Sequence, residues 1–90
     1  MPDILLDPIF APHTLGEALT LLQRRSGLGR DEFAQLADVA QGSMSNYLRD
    51  VSVPDAGKLR RIVAVLGDRL DEDPERLWLH LGRLVGHAHV

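Results

Sequence analysis

The stretch that decides the fold is Arg30-Asp31-Glu32-Phe33-Ala34-Gln35-Leu36-Ala37, then Asp38-Val39-Ala40, then Gln41-Gly42-Ser43-Met44-Ser45-Asn46-Tyr47-Leu48-Arg49. Asp31 and Glu32 stand where a helix macrodipole favours acids, and Phe33, Leu36 and Ala37 recur at helical spacing, which predicts a short helix from Arg30 to Ala37. Asp38-Val39-Ala40 reads as a turn. The second segment repeats the helical pattern from about Gln41 to Arg49, with Met44, Tyr47 and Leu48 as its inward set. Two helices of about eight residues joined by three have the dimensions of a helix-turn-helix.

Working outward, Thr14 followed by Glu17 is a capping box, and Leu15, Ala18, Leu19 and Leu22 mark one face of a helix that Ser26-Gly27 ends. On the other side, Asp50-Val51-Ser52-Val53-Pro54 is a loop. Asp55 caps a further helix whose inward face is Leu59, Ile62, Val63 and Leu66 and which Gly67 closes. Asp73 as cap, Pro74 at the first helical position and Glu75 in the first turn start a last helix through Leu77, Trp78, Leu81, Leu84 and Val85. Residues 1–13 carry Pro2, Pro8 and Pro12 among Ile4, Leu5, Leu6, Ile9 and Phe10, the pattern of an extended apolar arm. The expected organisation is therefore all-α: an arm over 1–13, a five-helix domain over 14–86 with its helix-turn-helix at 30–49 and its C-terminal helix at 74–85, and a tail over 87–90.

Residues 15–70 resemble the Cro/repressor (XRE-type, lambda-repressor-like) helix-turn-helix family. The matching words are Leu15-Gly16-Glu17, Gly27-Leu28, Glu32 through Ala37, Val39, Gln41, Met44-Ser45, Tyr47, Pro54 and Leu59 through Gly67. The resemblance implies a five-helix lambda-repressor-like bundle whose third helix enters the major groove of double-stranded DNA while the second crosses the backbone. It implies base contacts from Gln41, Ser45 and Asn46 and backbone contacts from Arg30, Ser43 and Arg49. The chain departs from the family pattern at Gly29 and Ala40, where a Ser or Thr cap is usual, and at Gly42, which leaves a gap in the reading surface. Asp50-Val51-Ser52-Val53 offers no cation where Gly followed by Lys or Arg is common, and Asp50 there would repel a phosphate.

Composition bounds the function. Ninety residues, 44% hydrophobic and 26% charged, suit one small domain, and the absence of cysteine excludes a disulfide scaffold. No apolar run reaches the length of a membrane span, and the acids of the first ten residues do not suit a secretory signal, so a cytoplasmic bacterial or phage protein is expected. The net charge of −3 argues against nonspecific coating of nucleic acid. Its distribution softens that argument, because residues 24–61 hold seven basic residues against five acidic ones and the remainder of the chain is acidic.

His13, His80, His87 and His89 have no metal-site spacing, Asp71, Glu72 and Asp73 are explained as acids at a helix start, and no nucleophile grouping or phosphate loop appears. An enzyme, a metal site or a cofactor is not expected. Leu79 adds apolar surface outside the inward stripe of the last helix, so a homodimer is expected through Trp78, Leu79, Leu81 and Val85. The expected function is a sequence-specific transcriptional regulator on a near-palindromic operator, as a repressor, an activator or the DNA-binding antitoxin of a toxin pair, with control by a protein partner as one route. The alternative is an adaptor or antirepressor that uses the same fold for protein contact.

Overall fold

Five helices follow one another in the computed structural model, which describes residues 14–85: α1 (Leu15–Ser26), α2 (Arg30–Leu36), α3 (Gln41–Leu48), α4 (Ala56–Leu70) and α5 (Pro74–Val85). The fold is all-α, with no strand among the described residues. The arm over 1–13, the tail over 87–90, and His13, His87 and His89 lie outside the described residues. No helix among those described is long and apolar enough to cross a membrane.

Each start has a local cause. Thr14 is extended and its hydroxyl accepts the Glu17 N–H; Asp55 does the same for Lys58, and Asp73 accepts the Glu75 N–H beside Pro74. Gly29 and Ala40 make no side-chain cap, so α2 and α3 are held by packing. The ends share one device: after Gly27 closes α1 at φ 76°, the chain leaves α2, α3 and α4 through Asp38, Asp50 and Asp71, all in the left-handed region at φ 56°, 60° and 54°. Asp is among the few residues that tolerate this conformation without being glycine.

Leu15, Ala18, Leu19 and Leu22 of α1 and Leu59, Ile62, Val63 and Leu66 of α4 are buried, as their spacing predicts. Phe33 and Ala34 from α2, Val39 from the turn, Met44 and Tyr47 from α3, and Leu77 and Leu81 from α5 complete the same core. Leu36 is a correction: it is 47% exposed, and Ala34 and Ala37 take the inward positions around Phe33. Small residues there let the short α2 lie close to its neighbours.

Gly67 is a second correction. It does not close α4, which runs to Leu70 and ends on Asp71. Gly67 is buried, and a Cβ there would lie 3.0 Å from the Glu72 carbonyl and 3.1 Å from Cγ of Pro74. Its role is to admit the start of α5, while its carbonyl accepts N–H groups from Asp71 and Glu72.

Candidate nucleic-acid interface

The local chemistry of α3 separates two faces. Met44 and Tyr47 turn inward, and α3 packs against α1 and α2. At about 100° per residue, Gln41, Gly42, Ser45, Asn46 and the capping Arg49 fall within about 140° of arc on the opposite side, along about 12 Å of axis. Gln41, Gly42 and Arg49 are exposed, and Ser45 and Asn46 are half-buried. Ser43 lies about 60° beyond the edge of that stripe, on its flank, and is half-buried. The sequence-predicted base-contact residues thus share one face, whereas Ser43 stands beside it. Nothing lies within 4 Å of a Cβ built at Gly42, so this position is an open notch in the stripe.

Arg30, at the first position of α2, is exposed and makes no ion pair among the described residues; Arg49 likewise. Two other central cations, Arg60 and Arg61, are engaged. Arg60 bridges Glu75 at 2.8 Å, with its guanidinium 3.9 Å from the centroid of the Trp78 ring. Arg61 donates through Nε to the Ala37 carbonyl at 2.9 Å and through Nη2 to that of Asp38 at 3.3 Å, tying α4 to the turn between α2 and α3. The positive excess of the middle of the chain therefore overstates the charge free to meet a polyanion.

Asp50 has a role the sequence reading missed. Its Oδ1 accepts the Gly16 N–H at 2.9 Å and its Oδ2 accepts the Thr14 hydroxyl at 2.7 Å, so it joins the end of α3 to the start of α1. The carboxylate sits at the positive end of the α1 dipole, which offsets its charge. The signal for this lay in Gly16, which must lack a side chain to admit Asp50. Beside this junction, Glu17, Thr20, Leu21, Leu48, Arg49 and Asp50 line an open groove of about 410 Å³ between α1 and the end of α3.

On α5, the predicted dimer residues divide. Leu79 is 49% exposed, while Trp78 and Val85 are half-buried against the core, and the Trp78 ring is partly covered by Arg60. Leu81 is a correction: it is fully buried within its own chain and presents nothing to a partner. His80, half-buried on the same helix, has its pKa lowered by burial, with Arg83 and Arg76 adding repulsion. No group of three metal-ligating side chains exists among the described residues. No family model, curated protein or solved structure matches the chain.

Proposed function

We propose that the protein is a sequence-specific DNA-binding regulator whose α3 reads base edges in the major groove. The observation that carries this reading is the polar stripe of Gln41, Ser45, Asn46 and Arg49 standing outward on a helix anchored from behind by Met44 and Tyr47. Amide side chains pair bidentately with adenine, and hydroxyls pair with either base or phosphate. Arg30 and Arg49 at the two margins suit phosphate contacts that set register without reading sequence, and Ser43, on the flank of the stripe, suits the same task. The open notch at Gly42 lets the helix approach the groove floor closely.

One such helix reads few base pairs. The proposal therefore includes a homodimer that places two α3 helices about 34 Å apart on a near-palindromic operator. Leu79 is the exposed large apolar side chain of α5 available to that contact, with Trp78 and Val85 half-buried on the same helix.

A fluorescence-anisotropy or gel-shift selection on random duplexes at two salt concentrations tests the reading. Nanomolar binding to a restricted set of sequences, with a shallow salt slope, is expected, because few phosphates are neutralised. Gln41→Ala should relax specificity at one base pair at a cost of about 1–3 kcal/mol. Binding that is uniformly micromolar, or absent, overturns it.

The exposure of Leu36, Val51 and Val53, at 47%, 60% and 58%, favours a second reading in which the fold serves as an adaptor or antirepressor for another protein. That reading predicts a protein complex insensitive to Gln41→Ala and disrupted by Val53→Glu.

A further inference from the structure

The five helices are not equally tied into the core. α1, α4 and α5 each pack on the other two, whereas α3 packs chiefly on α1 and α2, and α2 has α3 as its principal helix partner. The α2–α3 pair therefore rests on a three-helix base. Local stability divides the same way. α1, α4 and α5 run for 12, 15 and 12 residues behind the caps of Thr14, Asp55 and Asp73, while α2 and α3 have 7 and 8 residues and start at Gly29 and Ala40 with no side-chain cap. α3 also carries Gly42, Ser43, Ser45 and Asn46, all weak helix formers. Helices this short do not persist in water without packing.

Two polar ties fasten the pair to its base. Arg61 reaches from α4 to the Ala37 and Asp38 carbonyls in the turn, and Asp50 reaches from the end of α3 to Thr14 and the Gly16 N–H at the start of α1. Beyond Asp50 the chain runs through a loop in which Val51, Ser52 and Val53 are exposed, a boundary able to absorb a change of backbone direction.

We propose that α2 and α3 open together as one cooperative unit while α1, α4 and α5 stay folded, and that this opening regulates the display of the polar stripe of α3. Opening releases Phe33, Ala34, Val39, Met44 and Tyr47, whereas Leu19, Leu22, Leu59, Ile62, Leu66, Leu77 and Leu81 belong to the base, so only part of the core is surrendered. The two helices open as one because α3 is the main anchorage of α2. A partner that engages only the closed form of α3 holds the unit shut by mass action. The opening stands whether or not α3 reads DNA.

Native-state hydrogen exchange of the full chain in sub-denaturing urea tests this. The amides of Ala37 and Met44, bonded to the Phe33 and Ala40 carbonyls, should exchange about tenfold or more faster than those of Ile62, Val63 and Leu81. They should also share one urea dependence, smaller than that of global unfolding. Two variants locate the opened segment. Asp55→Ala weakens the α4 cap, which stays in place when α2 and α3 open, so it should speed exchange in α1, α4 and α5 several-fold and leave α2 and α3 unchanged. Arg61→Ala removes bonds that either opening breaks and should speed both sets by one factor. Equal free energies of exchange in all five helices, or an Asp55→Ala effect spread over all of them, overturn the proposal. Exchange in α2 and α3 that is independent of urea reports the fraying of separate residues and overturns it as well.

Discussion

Gly16 and Asp50 stand so close that a methyl group added at Gly16 would lie 2.5 Å from Oδ2 of Asp50 and 2.8 Å from the Leu48 carbonyl oxygen. This contact makes a helical glycine obligatory, against the usual preference for alanine in a helix. Gly16→Ala is expected to lose about 1–3 kcal/mol, because the carboxylate must withdraw from the start of α1. Gly42→Ala meets open space at an ordinary helical φ, so it should gain a few tenths to about 1 kcal/mol. Urea denaturation of the two variants, read by Trp78 fluorescence, checks the opposite signs. In a DNA-binding regulator the stabilised Gly42→Ala variant should also bind its operator more weakly, because the added methyl fills the notch.

The same junction separates structure from charge at Asp50. Asp50→Ala removes the acceptor for both Gly16 and Thr14 and should cost about 1–2 kcal/mol. Asp50→Asn keeps an acceptor for the Gly16 N–H and a donor for the Thr14 hydroxyl, and Asn tolerates the left-handed backbone at φ 60°, so it should fold nearly as well. In the proposed DNA-binding regulator, removing a negative charge near Arg49 with Asp50→Asn should tighten duplex binding more at low salt than at high salt. Equal losses of stability in Asp50→Ala and Asp50→Asn would show that charge, not hydrogen-bond geometry, holds α3 to α1.

Arg61 and Arg30 differ in kind although both lie in the basic middle of the chain. Arg61→Ala leaves the Ala37 and Asp38 carbonyls without their α4 partner and should destabilise the fold by about 1–3 kcal/mol. Lysine should restore only part of this, because a single ammonium does not reproduce the fork that spans two carbonyls. Arg30→Ala is expected to change stability by no more than about 0.5 kcal/mol and, if the protein is the proposed DNA-binding regulator, to weaken all duplex sequences alike. Thermal melts paired with anisotropy titrations separate the two roles.

The features legible in the chain were those whose cause is local. Thr14, Asp55 and Asp73-Pro74 announce helix starts because the capping group and its N–H lie within three residues of each other. The inward faces of α1 and α4 follow from periodicity alone. The polar stripe of α3 was readable for the same reason, although Ser43 falls on its flank. What escaped the sequence depends on partners far along the chain. Asp50 reads as a misplaced charge until the start of α1, 34 residues earlier, is known to lie against it. Gly67 has the appearance of a terminator because a glycine that ends a helix and one that admits a neighbouring backbone look alike in one dimension. Leu81 lies on the inward stripe that periodicity marks, but that its burial is complete, leaving no surface for a partner, is evident only once α5 is docked on the core.

Among the described residues, His80 and Asp55 have shifted pKa values that bear on the pH dependence of stability. His80 has its pKa lowered, first by burial and then by Arg83 and Arg76, so the unfolded chain binds a proton more readily than the folded one. Stability contributed by neutral His80 is present above its ordinary pKa of about 6.5 and declines as pH falls through that value toward the lower folded one. Asp55 has its pKa lowered chiefly by the Lys58 N–H it caps, so its contribution persists to greater acidity and declines only below about pH 4. Denaturation midpoints from pH 8 to pH 3 should therefore fall in two stages. His80→Gln should flatten the first stage and leave the second, and Asp55→Asn should do the reverse, because an uncharged cap keeps its acceptor but no longer titrates. A first stage unchanged in His80→Gln would assign it to a different group.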